Sequence, residues 1–167
     1  MKKLVAYYSR SGENYFGGSI KNISKGNTEV VAEMIQNILD CDIFEIQQKE
    51  PYSLNYQECT RQAQNDLKNH VRNELVEYLD NIEEYDEIYL GYPNYWGTCP
   101  TAVFSFLDKY DLSNKKIYPF CTNEGSGLGN SVSDIQKECH AQVMKGLSIR
   151  GSYVNDCEDE VREWLGK

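Results

Sequence analysis

The chain has no long apolar run. Its hydrophobic residues come in short bursts, well below the ~20 needed to cross a bilayer, so nothing in it reads as a membrane span. The start, MKKLVAYYSRSG, carries two lysines, but its apolar run stops at Tyr8. That is too short for a signal-peptide core, so it reads as a first strand and a cytoplasmic protein is expected. Cationic residues are scarce: 17 Lys and Arg stand against 26 Asp and Glu, a net charge of −9. The balance disfavours nucleic acid, whose phosphates would be repelled. It favours partners with basic docking surfaces, drawn in by long-range attraction, although solubility alone would account for it. Paired cysteines are missing too. Cys41, Cys59, Cys99, Cys121, Cys139 and Cys157 stand singly without a CxxC, which indicates neither a zinc ribbon nor a thioredoxin-type pair. In a reducing compartment they are expected as free thiols. There are only two histidines, His70 and His140, each in a polar helical context, so no histidine metal centre is expected.

Two phosphate-binding signatures are also absent. Gly26 is followed by Asn27 and not by Lys, so there is no GxxxxGK[ST] loop for a nucleoside triphosphate. No GxGxxG follows the first strand, so the dinucleotide fingerprint is missing. What is present is an apolar strand, Lys2 to Tyr8, then a loop rich in Ser, Gly and Asn that ends at Asn27-Thr28, then a helix from Thr28 to Leu39. A helix start gathers unpaired N–H groups and the positive end of the helix dipole. Ser9, Ser11, Asn27 and Thr28 add side-chain donors. A monoester phosphate suits such a loop; an ordinary capped loop would look the same. Within it, 14–25 shows no clear period and holds Gly17-Gly18, and it reads as an inserted flap.

Along the rest of the chain, strands and helices alternate. Asp42 to Ile46 is a second strand, and Asn55 to Lys68 a polar helix with a solvated face. Leu75, Leu79 and Ile82 suggest a further short helix. Asp86 to Gly91 is the third strand, followed by YPNYWGTCP and a helix from Thr98 to Tyr110 with Pro100 in its first turn. Lys116 to Cys121 is the fourth strand, with Pro119 a difficulty inside it. TNEGSGLGNS is a glycine-rich loop before a helix to Cys139. Val143 to Ile149 is a weaker fifth strand, and Asp156 to Leu165 a closing helix. The pattern implies one α/β domain over 1–167, with a parallel sheet covered by helices on both faces.

In such a sheet ligands sit beyond the carboxyl ends of the strands. The three unusual loops follow strands one, three and four, so they meet at one edge. The second offers Tyr92, Pro93, Asn94, Tyr95, Trp96 and Gly97, suited to stacking on a flat aromatic ligand or to capping the core. The third offers Thr122, Asn123, Glu124, Gly125, Gly127 and Gly129, whose glycines make backbone N–H groups accessible.

The chain resembles a flavodoxin over nearly its whole length. Ser9-Arg10-Ser11 and Gly26-Asn27-Thr28 look like the family's [ST]-x-[ST]-G-N-T phosphate loop, split by the flap. DEIYLGYPNYWGTCP resembles its second loop and TNEGSGLG its third. The resemblance implies a three-layer sandwich around a five-stranded parallel sheet of order 2-1-3-4-5; flavodoxin is the standard example of that order. It implies FMN as cofactor. The phosphate would be held by Ser9, Arg10, Ser11, Asn14, Gly26, Asn27 and Thr28, and the ring by the second and third loops. Arg10 would pair with the phosphate or face solvent. The third loop shows no aromatic for the other ring face, and it resembles equally the loop of FMN-dependent quinone reductases. Two functions are therefore implied. One is an electron carrier between protein partners with no catalytic residues of its own. The alternative is an NAD(P)H:quinone-type oxidoreductase. A phosphoacceptor receiver is disfavoured, because Tyr7, Tyr8, Ser9 and Gly91, Tyr92, Pro93 stand where its acidic residues would be.

Overall fold

The protein is described here by a computed structural model covering residues 1–167. β1 (Lys3–Tyr7) lies at the centre because Leu4, Val5, Ala6 and Tyr7 are all buried, as a strand covered on both faces requires. It pairs in parallel with β4 (Asp42–Glu45) on one side and β5 (Glu87–Pro93) on the other. β5 pairs with β6 (Lys116–Asn123), and β6 with two short pieces, β7 (Gln142–Val143) and β8 (Leu147–Arg150). With β7 and β8 counted as one interrupted fifth strand, the order is the expected 2-1-3-4-5.

The pleat sends alternate residues to opposite faces. Leu4, Ala6, Ile88, Leu90 and Ile117 join one core under α3 (Thr101–Lys109) and α4 (Ser131–Glu138). Val5, Tyr89 and Phe120 join the other, with Val31 and Ile35 of α1 (Asn27–Leu39) and Val161 of α5 (Glu158–Leu165). Helices on both faces make the three-layer sandwich.

Pro119 sits within β6 without breaking it. The C=O of Ile117 accepts from Met144 N–H, so the odd-numbered residues of β6 turn their backbone polar groups toward the edge strand. Pro119 shares that direction. Its missing N–H therefore falls opposite the interruption between Val143 and Leu147, where no ladder bond is needed.

Five expectations need correction. The inserted flap is a β-hairpin, β2 (Gly12–Phe16) and β3 (Ser19–Ile23). Gly17 and Gly18 have φ of 64° and 98°, the two positive values that a tight two-residue hairpin turn demands. The third helix begins at Thr101 and not at Thr98. Pro100 is its N-cap with an extended ψ of 142°, and Cys99 before it is biased away from helix. No helix forms over 75–82. Leu75 and Leu79 give their N–H groups to the hydroxyls of Tyr78 and Tyr110, and a single 3-10 turn follows at Ile82–Glu84. Finally, β5 and β6 run on to Pro93 and Asn123, so the first residues assigned to the second and third loops are strand ends. The two histidines lie just beyond the ends of α2 (Tyr56–Lys68) and α4 rather than within them.

Candidate functional site

The carboxyl ends of β1, β5 and β6 open onto a cleft of about 390 Å³, within the range of small-molecule sites. Loop one forms one end of it. The hairpin separates Ser11 from Gly26 in sequence but not in space. A Cβ added to Gly26 would lie 2.1 Å from Ser9 Oγ and 2.7 Å from the Arg10 carbonyl oxygen. The two halves of the split motif thus meet across the hairpin base, and only glycine allows the approach. Ser9 Oγ accepts from the N–H of Glu29 at 3.1 Å, taking one first-turn donor and leaving its own hydroxyl proton free. The N–H groups of Asn27 and Thr28 open α1 without intrahelical partners. Thr28 is joined to Thr122 through a buried hydroxyl pair at 2.8 Å, which ties loop one to the end of β6. Glu29 is turned away from the cleft, toward Glu45 and Tyr7.

Arg10 neither faces solvent freely nor stands unattached. Its Nε and Nη2 donate to the carbonyls of Glu13 and Leu54, each at 3.0 Å, while the side chain lines the cleft. Asn14, also on the lining, donates to the Arg10 carbonyl at 2.9 Å. Ser11 is exposed and lies off the lining.

Loop two turns sharply at Trp96-Gly97. Tyr95 and Thr98 pair in antiparallel fashion around it, and Trp96 has φ of 58°, rare for a bulky residue. The conformation is held from three sides. Asn94 Oδ1 accepts from Gly97 N–H at 2.8 Å, Asn94 Nδ2 donates to the Gly127 carbonyl, and Trp96 Nε1 donates to the Thr60 carbonyl at 2.7 Å. Trp96 remains 51% exposed at the cleft, whereas Tyr95 is turned inward, edge-on to Tyr8 at 6.0 Å. Of the two aromatic residues expected to stack, Trp96 is therefore at the mouth and Tyr95 in the floor. Pro93 and Asn94 also line the cleft.

Loop three contributes Thr122, Asn123, Glu124 and Ser126 to the lining. Gly125 and Gly127 are close by but turn their N–H groups to Asn123 Oδ1, at 2.9 and 3.0 Å. Two buried oxygens at the site have no partner in the chain: Tyr95 Oη and Glu124 Oε1. Burial pushes the Tyr95 phenol well up, and it also raises the Cys59 thiol, opposed in part by the nearby Arg10 charge. Both groups are neutral at pH 7, and neither is poised as a nucleophile.

The fourth wall was not read from the sequence. Tyr56, Cys59, Thr60 and Ala63 of α2 line the cleft, together with Tyr15 of the hairpin. The four α2 residues fall at i, i+3, i+4 and i+7, one face of a helix. That periodicity was present in a segment read only as solvated.

A family model described as flavodoxin matches residues 2–167. This chain belongs to the flavodoxin family. The flavodoxin-like domain-containing protein BilS of Clostridioides difficile is 32% identical over 104 residues, which are 62% of this chain and 56% of BilS. Among solved structures, one from Bacteroides eggerthii is 26% identical and superposes with a TM-score of 0.74 over 99% of this flavodoxin and 96% of that chain. A flavoprotein of Lactobacillus acidophilus, solved in complex with FMN, is 22% identical with a TM-score of 0.70, over 92% of this chain and 96% of that one. No helix of this flavodoxin is long and apolar enough to cross a membrane.

Proposed function

We propose that this flavodoxin binds FMN and carries electrons between protein partners. The observation that supports it most directly is the rejoined loop: Ser9-Arg10 and Gly26–Thr28, separate in sequence, meet at one end of a single cleft whose mouth holds Trp96. Donors at one end and an aromatic at the other match a ligand with a phosphate monoester and a planar ring.

The groups present fit that ligand. Asn27 and Thr28 N–H, the Ser9 hydroxyl and the helix dipole suit the phosphate, with Arg10 as the nearby cation. The partnerless Tyr95 Oη is a donor for a ring carbonyl, whereas Glu124 Oε1 lies by Gly151 and the Asn27 side chain at the loop-one end. FMN would supply the one- and two-electron chemistry. The chain's own residues would bind, orient and shield it. A net charge of −9 disfavours further negative charge on the ring, which lowers its last reduction potential. The same charge favours docking on basic partner surfaces, so transfer to such a partner is expected to slow as salt is raised.

The test is a visible spectrum of the FMN-reconstituted protein, kept anaerobic, before and after NADH or NADPH. A carrier resists both nucleotides and is reduced in two resolved one-electron steps by dithionite or a separate reductase. Rapid bleaching by either nucleotide would instead establish the NAD(P)H-dependent oxidoreductase. Failure to bind FMN would remove both.

A further inference from the structure

The third loop offers no aromatic side chain, yet the cleft has a second aromatic wall. Tyr15 comes from the inserted hairpin and Tyr56 from the first turn of α2. Their rings lie 6.3 Å apart at 37°, and both line the cleft. The hairpin and α2 are tied at this point. Glu13 Oε1 accepts from the Tyr56 N–H at 2.9 Å, and Arg10 Nη2 donates to the Leu54 carbonyl at 3.0 Å. At its far end the hairpin turn reaches the 3-10 turn Gly151–Tyr153, with Gly17 beside Ser152. The hairpin therefore arches over the phosphate loop while holding Tyr15 at the cleft. Tyr15 is 45% exposed and Trp96 51%, an unusual state for two large aromatics flanking one cleft.

We propose that Tyr15 and Tyr56 form the second ring-binding wall of this flavodoxin, so that the insertion supplies the aromatic cover missing from the third loop. This rests on the FMN reading above. Three features favour it over a hairpin that merely decorates the surface. Tyr56 stands one helical turn before Thr60, whose carbonyl holds Trp96, so α2 fixes both aromatic sides in one frame. The hairpin register places Tyr15 against Ile20, one pair from the turn, between the Glu13–Tyr56 bond on one side and the Gly17 contact with Ser152 on the other, so both flanks of Tyr15 are held. The cleft volume, about 390 Å³, lies near the low end for a single small-molecule site. One planar ligand and its walls fill such a space, which leaves Tyr15 and Tyr56 as positioning residues for that ligand rather than for a second substrate.

The experiment measures FMN affinity by quenching of flavin fluorescence, and records the visible bands of the bound flavin. Wild type is compared with Tyr15→Ala, Tyr56→Ala, Tyr15→Phe and Tyr56→Phe. Each alanine is expected to weaken FMN by about two- to tenfold and to move the bound bands toward those of free flavin. Each phenylalanine is expected to restore both, because the ring and not the hydroxyl makes the wall. Riboflavin, which lacks the phosphate, reads the ring alone and should lose affinity by the same factor. Unchanged affinity and bands in both alanine variants would overturn the wall while leaving FMN binding intact. A loss that phenylalanine fails to rescue would also overturn it. A wild-type protein that binds no FMN would overturn the cofactor reading itself.

Discussion

Gly26 shows how much one side chain can decide. The split phosphate motif works as one loop only if Gly26 lies against Ser9 and Arg10, and a Cβ there would overlap both. Gly26→Ala is expected to cost about 1–3 kcal/mol, as other overpacked sites do, and to weaken FMN more than it weakens riboflavin. Urea unfolding and the two affinities check this. Thr28 and Thr122 are a second such case. Their hydroxyls pair at 2.8 Å in a buried position, so Thr122→Val leaves the Thr28 hydroxyl without its partner. The expected loss is about 1–3 kcal/mol, read as a lower urea midpoint at unchanged m-value. Both glycine and threonines were legible as candidate residues, since they sit in a Ser/Gly/Asn loop after a strand. Their contacts were not, because each partner is distant in sequence or across the sheet.

At the level of elements, the hairpin is the informative case. The segment reads as a flap because it shows no clear period, although Gly17-Gly18 between Tyr15-Phe16 and Ser19-Ile20 is a hairpin signal. Its strands pair only with each other and belong to no part of the main sheet. Deleting 12–25 joins Ser11 to Gly26 and recreates the uninterrupted loop Ser-Arg-Ser-Gly-Asn-Thr. The deletion variant is expected to keep its far-UV spectrum and cooperative unfolding, because loop length adds little closure entropy. It should still bind phosphate-bearing flavin while losing the Tyr15 contribution. A variant that fails to fold would show that the Glu13–Tyr56 bond is a structural support for α2. The α2 helix itself was legible as a helix, with Asn55 as its cap accepting from Glu58 N–H. Its cleft-facing side was hidden because the flanking residues are Gln, Arg and Asn, which mask a stripe of only a few partly apolar positions.

For the molecule as a whole, burial dominates the titration of its thiols. Cys121 is pushed up to about 12, and Cys41 and Cys157 to about 11, from an ordinary value of 9.0. The fold favours the neutral thiol, whereas the unfolded chain ionises it near its ordinary value. Stability is therefore level below about pH 9 on this account and falls as pH rises toward 11 and 12. Urea midpoints between pH 7 and 12 should decline only in the upper part of that range, with buried tyrosines such as Tyr92 adding to the fall in the same direction.

The sequence by itself determined the α/β class, the strand order through its resemblance, and the three loops at one edge. The class and the shared loop edge follow from local signals: apolar runs too short for helices, glycine and asparagine after strands, and periodic helices between them. Only the tertiary structure decided how the loops close. It rejoined Ser9-Arg10 with Gly26–Thr28, turned Tyr95 inward and left Trp96 at the mouth, and brought Tyr15 and Tyr56 together from either side of α1 and β4 in the chain. The physical reason is range. Propensity and periodicity act over a few neighbours, while each of these arrangements depends on a hydrogen bond or packing contact between residues that only the sheet and its crossovers place side by side.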